Sequence, residues 1–155
     1  DYDGEITFVV RYFPLPGHPN SVTAATAVEA AGQQDAFEPM YRKMFETQNE
    51  WGHTETSRKA TFVQYAQELG LDVEMFQRVM DDPETLARVQ RDVDDGMALG
   101  VNATPTIFIN GVATEPMPSY ESLRATIDAA LVQSPTSEEI SGKSREAWLR
   151  PRVVA

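Results

Sequence analysis

The sequence predicts an α/β fold in which a block of helices is inserted between strands. Three observations carry this. A β-branched and aromatic run, Glu5-Ile6-Thr7-Phe8-Val9-Val10-Arg11-Tyr12-Phe13, stands near the start. Helix-period segments with capping residues fill Ser21 to Gly100. Thr106-Ile107-Phe108-Ile109 followed by Asn110-Gly111 then reads as a strand turning into a hairpin, since both turn positions tolerate φ > 0. The expected order is a strand, a series of helices, a two-stranded hairpin and a last helix.

The first run alternates little between apolar and polar residues, as in a strand covered on both faces. Pro14-Leu15-Pro16-Gly17-His18-Pro19-Asn20 ends it. Ser21 is placed to cap a helix carrying Ala24, Ala25, Ala27, Ala30 and Ala31, small enough for close packing, with Gly32 as its C-cap. Asp35 and Glu38 form a capping-box pattern for a second helix, on which Phe37, Met40, Tyr41, Met44 and Phe45 make one apolar face. Gln48 to Thr56 reads as a polar connection around Trp51, which either lines a groove or covers the core. Ser57 is the cap expected for a third helix, with Phe62, Tyr65, Ala66 and Leu69 inward and Gly70 at its end. Asp72 starts a short fourth, with Met75, Phe76, Val79 and Met80. Asp82-Pro83 supplies an N-cap followed by Pro at the first helical position of a fifth, which buries Leu86, Val89, Val93 and Met97 and stops at Gly100. Past the hairpin, Ser119 caps a final helix with the stripe Leu123, Ile127, Ala130 and Leu131. Residues 133–155 read as a poorly ordered polar tail, in which Trp148 and Leu149 offer an apolar handle.

A length of 155 residues suits one domain with a real core. The net charge of −11 makes nucleic acid and anionic membrane surfaces poor partners. No apolar run reaches the length that spans a bilayer. Cysteine is absent, so the chain has no disulfide, no thiolate nucleophile and no zinc thiolate. His18 and His53 lie far apart without metal-ligand spacing and read as loop and solvated residues. Asp92, Asp94 and Asp95 also lack metal-loop spacing and read as an exposed acidic helix face. No metal or cofactor is expected. With neither an initiator Met nor a signal-like stretch at Asp1, the chain is expected to start inside a longer protein.

Pro105 stands just before the second strand, where its missing N–H does least damage to a ladder, and a Thr-Pro bond adopts the cis form for about 0.5–1 kcal/mol. Its surroundings carry a resemblance. Arg11-Tyr12-Phe13-Pro14-Leu15-Pro16-Gly17-His18-Pro19-Asn20, then Glu68-Leu69-Gly70-Leu71-Asp72, then Leu99-Gly100-Val101-Asn102-Ala103-Thr104-Pro105-Thr106-Ile107-Phe108-Ile109-Asn110-Gly111 resemble segments of the DsbA-like branch of the thioredoxin superfamily. They match, in order, its strand-and-Pro segment, its mid-insertion helix junction and its cis-proline strand with turn. The resemblance covers about residues 5–132. It implies a thioredoxin-like α/β fold with an all-helical insertion at about 21–100, and thiol–disulfide oxidoreductase activity on protein or peptide substrates. It further implies a redox partner protein, an extracytoplasmic bacterial location, and a substrate-binding role for Thr104 and Pro105 through backbone contacts.

In that family a Cys-x-x-Cys pair opens a helix on a strand–helix unit preceding the strand that matches Ile6–Tyr12. That unit has no counterpart here, so no catalytic residue is assigned and the chain as written is redox-inactive. The central strand of the family's sheet, which belongs between those matching Ile6–Tyr12 and Thr106–Asn110, is missing with it. Its loss leaves backbone donors and acceptors unpaired on two apolar strands. The expectation is therefore an upstream unit carrying the cysteines, a strand exchanged with another chain in a dimer, or a re-paired sheet. The functional alternatives are a redox-dead peptide-binding module and a glutathione-linked isomerase, whose activating residue also sits in the absent unit.

Overall fold

The structure is a computed structural model that describes residues 2–133 and the backbone of 152–154. It divides into two compact units, Tyr12–Gly100, and Asp1–Arg11 with Val101–Ala155.

The unit Tyr12–Gly100 is helical: α1 Ser21–Gly32, α2 Phe37–Glu46, α3 Gln48–Trp51, α4 Lys59–Glu68, α5 Val73–Met80 and α6 Pro83–Ala98. Helix α1 packs against α2, α4, α5 and α6. It does so because Ala27, Ala30 and Ala31 present almost no side chain to hold the neighbours away, and all three are fully buried. Met40, Phe62, Phe76 and Val89 fill the remaining space. Phe45, expected on the inner face of α2, is 59% exposed, because Met40 and Met44 occupy that face.

Several helix ends differ from the sequence reading. Ser21 is the first helical residue; Asn20 takes the N-cap position and sends its side chain elsewhere. The turn after α1 does not close at Gly32. The chain runs on to Asp35, whose φ is 58°, and there the Asp35 N–H donates to Gly32 O while the Ala36 N–H donates to Ala31 O. That bonding is a Schellman motif with Asp35 as its left-handed residue, so Asp35 closes α1 instead of capping α2. Gly70, with φ 74°, closes α4 in the same way: its N–H donates to Gln67 O and that of Leu71 to Ala66 O. Ser57 is not a cap, since Arg58 holds that position. Asp72 and Asp82 do cap, accepting from the N–H groups of Met75 and Glu84. The stretch read as a polar connection contains the single turn α3.

On α6 the buried face carries Thr85, Val89 and Asp92, whereas Leu86 and Met97 are exposed. The inward stripe is thus turned by one residue from the expected one. Asp92, read as part of an exposed acidic face, is buried.

The other unit holds β1 Thr7–Val9, β2 Phe108–Ile109, β3 Val112–Ala113, α7 Tyr120–Val132 and β4 Arg152–Val154. The strand order is β1-β4-β2-β3. The turn between β2 and β3 has φ 52° at Asn110 and 82° at Gly111, the pair of values a two-residue hairpin needs. Ser119 caps α7 by accepting from the Ser122 N–H. Helix α7 lies on β2, and Ile109 and Ile127 form the centre of a small core with Ile6, Ile107, Leu123 and Leu131.

Two expectations fail in this unit. The first strand is only three residues long and is not covered on both faces, Phe8 being 55% exposed. The missing central strand is not a gap either. Arg152–Val154, read as part of a disordered tail, forms β4 there, parallel to β1 with Phe8 opposite Val153 and antiparallel to β2 with Ile109 opposite Val153. The sheet has re-paired with the chain's own segment, which satisfies the backbone edges that an empty slot would leave open. Trp148 and Leu149 lie outside the described residues.

Candidate functional site

Thr104 and Pro105 lie in the connection that leads into β2, and the peptide bond between them is cis. Local bonds fix the loop on either side. Thr106 Oγ1 donates to Ala103 O at 2.7 Å, and Ile107 O accepts from the Thr114 N–H at 2.8 Å. Ile109, buried beneath α7, anchors the strand that follows. Thr104 and Pro105 themselves are exposed. Among the described residues no hydrogen bond reaches the N–H or carbonyl of Thr104. Exposed, unpaired backbone beside a short strand can take up the main chain of an extended peptide. It cannot move electrons, because the chain carries no thiol.

The other candidates separate cleanly. His18 and His53 are both exposed. His18 belongs to a turn in which its carbonyl accepts from the Ser21 N–H at 3.0 Å. No group of three His, Asp or Glu side chains is arranged to hold a metal among the described residues. Trp51 covers the core: its ring meets Phe62 edge-on at 5.5 Å between centroids, and its Nε1–H donates to Met44 O.

Two polar clusters escaped sequence reasoning. In one, Asp92 accepts the Tyr12 N–H at 3.0 Å and pairs with Arg88 at 2.5 Å. The Arg88 guanidinium lies 5.8 Å over the Tyr12 ring, and the Tyr12 hydroxyl donates to Glu29 at 3.0 Å. Burial, reinforced by the Glu29 carboxylate, pushes the Tyr12 phenol far above the usual tyrosine range. Burial opposes the charge on Arg88, but its bond to Asp92 and the charges of Asp92 and Glu29 raise it on balance. The available signal was spacing, since Thr85, Val89 and Asp92 fall on one helical stripe, with Arg88 four residues before Asp92. In the other cluster, buried Asn20 donates to the carbonyls of Trp51, Thr54 and Thr56 and accepts from the Arg58 N–H. Both are structural joints, well supplied with partners and without an open position for a ligand.

A short sheet overlaid by α7, a helical block between its first strand and its hairpin, and a Thr-Pro entry to that hairpin define a thioredoxin-fold protein. The sequence matches the thioredoxin family over residues 1–129, and the chain belongs to that family. A solved thioredoxin-like oxidoreductase from Silicibacter pomeroyi DSS-3 is 27% identical, superposes with a TM-score of 0.64, and is matched over 80% of this chain and 68% of its own. A protein named Na(+)/H(+) antiporter NhaA from Herminiimonas arsenicoxydans is 34% identical over 137 residues, which is 88% of this chain and 21% of that protein. Na(+)/H(+) antiporter NhaA 1 from Salinispora arenicola is 35% identical over 126 residues, 81% of this chain and 18% of its own. The chain therefore spans about a fifth of the length of these curated relatives.

Proposed function

We propose that this chain is the substrate-holding part of a DsbA-like thiol–disulfide oxidoreductase acting on protein disulfides, with its cysteines outside these 155 residues. The observation that carries the reading is the exposed Thr104–Pro105 turn, with open backbone at Thr104, in a thioredoxin-family fold that also matches a solved thioredoxin-like oxidoreductase. In the intact enzyme a thiolate attacks a substrate disulfide, one sulfur leaves as thiolate, and a second cysteine resolves the mixed disulfide. The contribution of Thr104 and Pro105 is to hold the substrate main chain. Protein or peptide substrates, a redox partner protein and an extracytoplasmic location go with this reading. Among the described residues no helix is long and apolar enough to cross a membrane, and the transport named for the antiporter relatives is not proposed for this segment.

A second reading follows from the absence of cysteine: a redox-dead module that binds peptides at the same turn. The reading frame upstream of Asp1 separates the two, a Cys-x-x-Cys there supporting the enzyme. For the chain itself, insulin reduction proceeds no faster than in buffer, and activity above buffer overturns the assignment of chemistry to residues elsewhere. An unfolded, disulfide-containing peptide shifts the amide signals of Ala103 to Thr106 in a heteronuclear NMR titration. A titration to millimolar peptide that leaves those signals unmoved overturns both readings.

A further inference from the structure

The centre of the sheet is filled by a strand that no turn holds in place. Strand β4 pairs with β1 in parallel, through Thr7 with Arg152, Phe8 with Val153 and Val9 with Val154. It pairs with β2 antiparallel, through Phe108 with Val154 and Ile109 with Val153. A hairpin strand keeps its register through its turn. Strand β4 has no hairpin to either neighbour: the element before it is α7, ending at Val132, and residues 134–151 intervene. Its position therefore rests on ladder bonds and on a long tether. Closure entropy grows slowly with length, about 0.6 kcal/mol for each doubling. A tether of this kind presents its end at a local concentration on the order of millimolar. Without β4, the facing edges of β1 and β2 stand two strand spacings apart, about 9.5 Å, which is room for one extended chain.

We propose that the space between β1 and β2 is a strand-binding site for an extended segment rich in branched apolar residues, and that Arg152–Val154 of the same chain occupies it reversibly in cis. The site is separate from the Thr104–Pro105 turn and does not rest on the function proposed for it. Recognition is by main-chain bonds on both sides of the bound strand, parallel on one and antiparallel on the other, which demands an extended ligand without proline in the paired stretch.

The test uses the full 155-residue chain carrying Val153→Pro, which removes an N–H from the middle of β4. Hydrogen exchange at the slot-facing amides of Thr7–Val9 and Phe108–Ile109 is expected to accelerate about tenfold or more, while the buried amides of α1 and α4 keep their protection. Millimolar free peptide of residues 150–155 restores the lost protection, and the same peptide with the Val153→Pro change does not. Protection that persists in the variant, or that the peptide fails to restore, overturns the proposal. If the variant loses this unit entirely, isotope-labelled peptide is titrated into the unmodified chain. Binding by the natural peptide alone supports the site, and an equal response to both peptides overturns it. A dimer of the unmodified chain that becomes monomeric in Val153→Pro overturns the assignment in cis, since the strand then comes from a second copy.

Discussion

Asn20 carries more of the helical unit than its place in a Pro-rich loop suggests. Its Nδ2 lies 3.2, 2.9 and 3.1 Å from the carbonyls of Trp51, Thr54 and Thr56, and its Oδ1 accepts the Arg58 N–H at 2.9 Å. One side chain thus ties the segment between α3 and α4 to the start of α1. Asn20→Ala leaves several of these groups without partners, at an expected cost of about 2–3 kcal/mol in urea unfolding followed by circular dichroism. Asn20→Asp, nearly isosteric, is expected to cost at least as much, because it turns an acceptor toward three carbonyls. An Asp variant as stable as the parent would show that the amide donor is not what holds this segment. Tyr12 gives a pH signature at the same scale. Its folded-state pKa lies above the ordinary value near 10, so below that pH the phenol is neutral in both states and adds no pH dependence. Above it the unfolded chain releases a proton that the folded chain keeps, and stability falls by up to about 1.4 kcal/mol per pH unit. Tyr12→Phe should lower stability by about 1 kcal/mol at neutral pH and flatten that alkaline slope. A slope unchanged in the variant would assign the effect to other tyrosines.

Among the elements, those set by local chemistry were legible and those set by distant partners were not. Asp72, Asp82-Pro83 and Ser119 cap their helices, and Asn110-Gly111 makes its turn, because each requirement lies within a few residues. Asp35 was ambiguous at that same range: aspartate suits both an N-cap and a left-handed closing position, and only the bonds from Asp35 to Gly32 and from Ala36 to Ala31 decide between them. The two roles predict opposite results. Asp35→Gly should stabilise α1 by about 0.5–1 kcal/mol, since glycine enters the left-handed region without steric cost. Loss of about 1 kcal/mol in thermal unfolding would instead restore Asp35 as a cap of α2. The inward stripe of α6 was misread because a periodicity count favours Leu86 and Met97, whereas Asp92 is drawn inward by Arg88 and the Tyr12 N–H, partners a periodicity count does not weigh. Strand β4 was unreadable for a related reason. Three residues carry little propensity of their own, and their pairing is fixed by edges more than forty residues away in sequence on β2 and farther still on β1.

At the level of the whole molecule, the two units hold themselves together by different means. In Tyr12–Gly100, fully buried Ala27, Met40, Phe62, Ala66 and Phe76 belong to one continuous core, and the polar joints at Asn20 and at Tyr12 with Asp92 both lie inside that unit. The other unit has a core centred on Ile109 and Ile127, and strands of two or three residues. The substrate turn was legible because its motif is contiguous, and the rest of the catalytic chemistry was not because cysteine is absent from the chain. The same division predicts separable stability. A fragment of residues 12–100 retains its core and both joints, and its size is within the range that folds alone. It should give the helical circular dichroism expected of α1 to α6 and a single cooperative urea transition, with exchange of the buried α1 and α4 amides limited by global unfolding. In the full chain, amides of β1 and β2 should exchange through an opening of lower free energy that leaves α1 and α4 protected. A fragment that is unfolded in water, or a full chain in which both sets of amides exchange at one common free energy, would mean that the helical unit borrows its stability from the sheet.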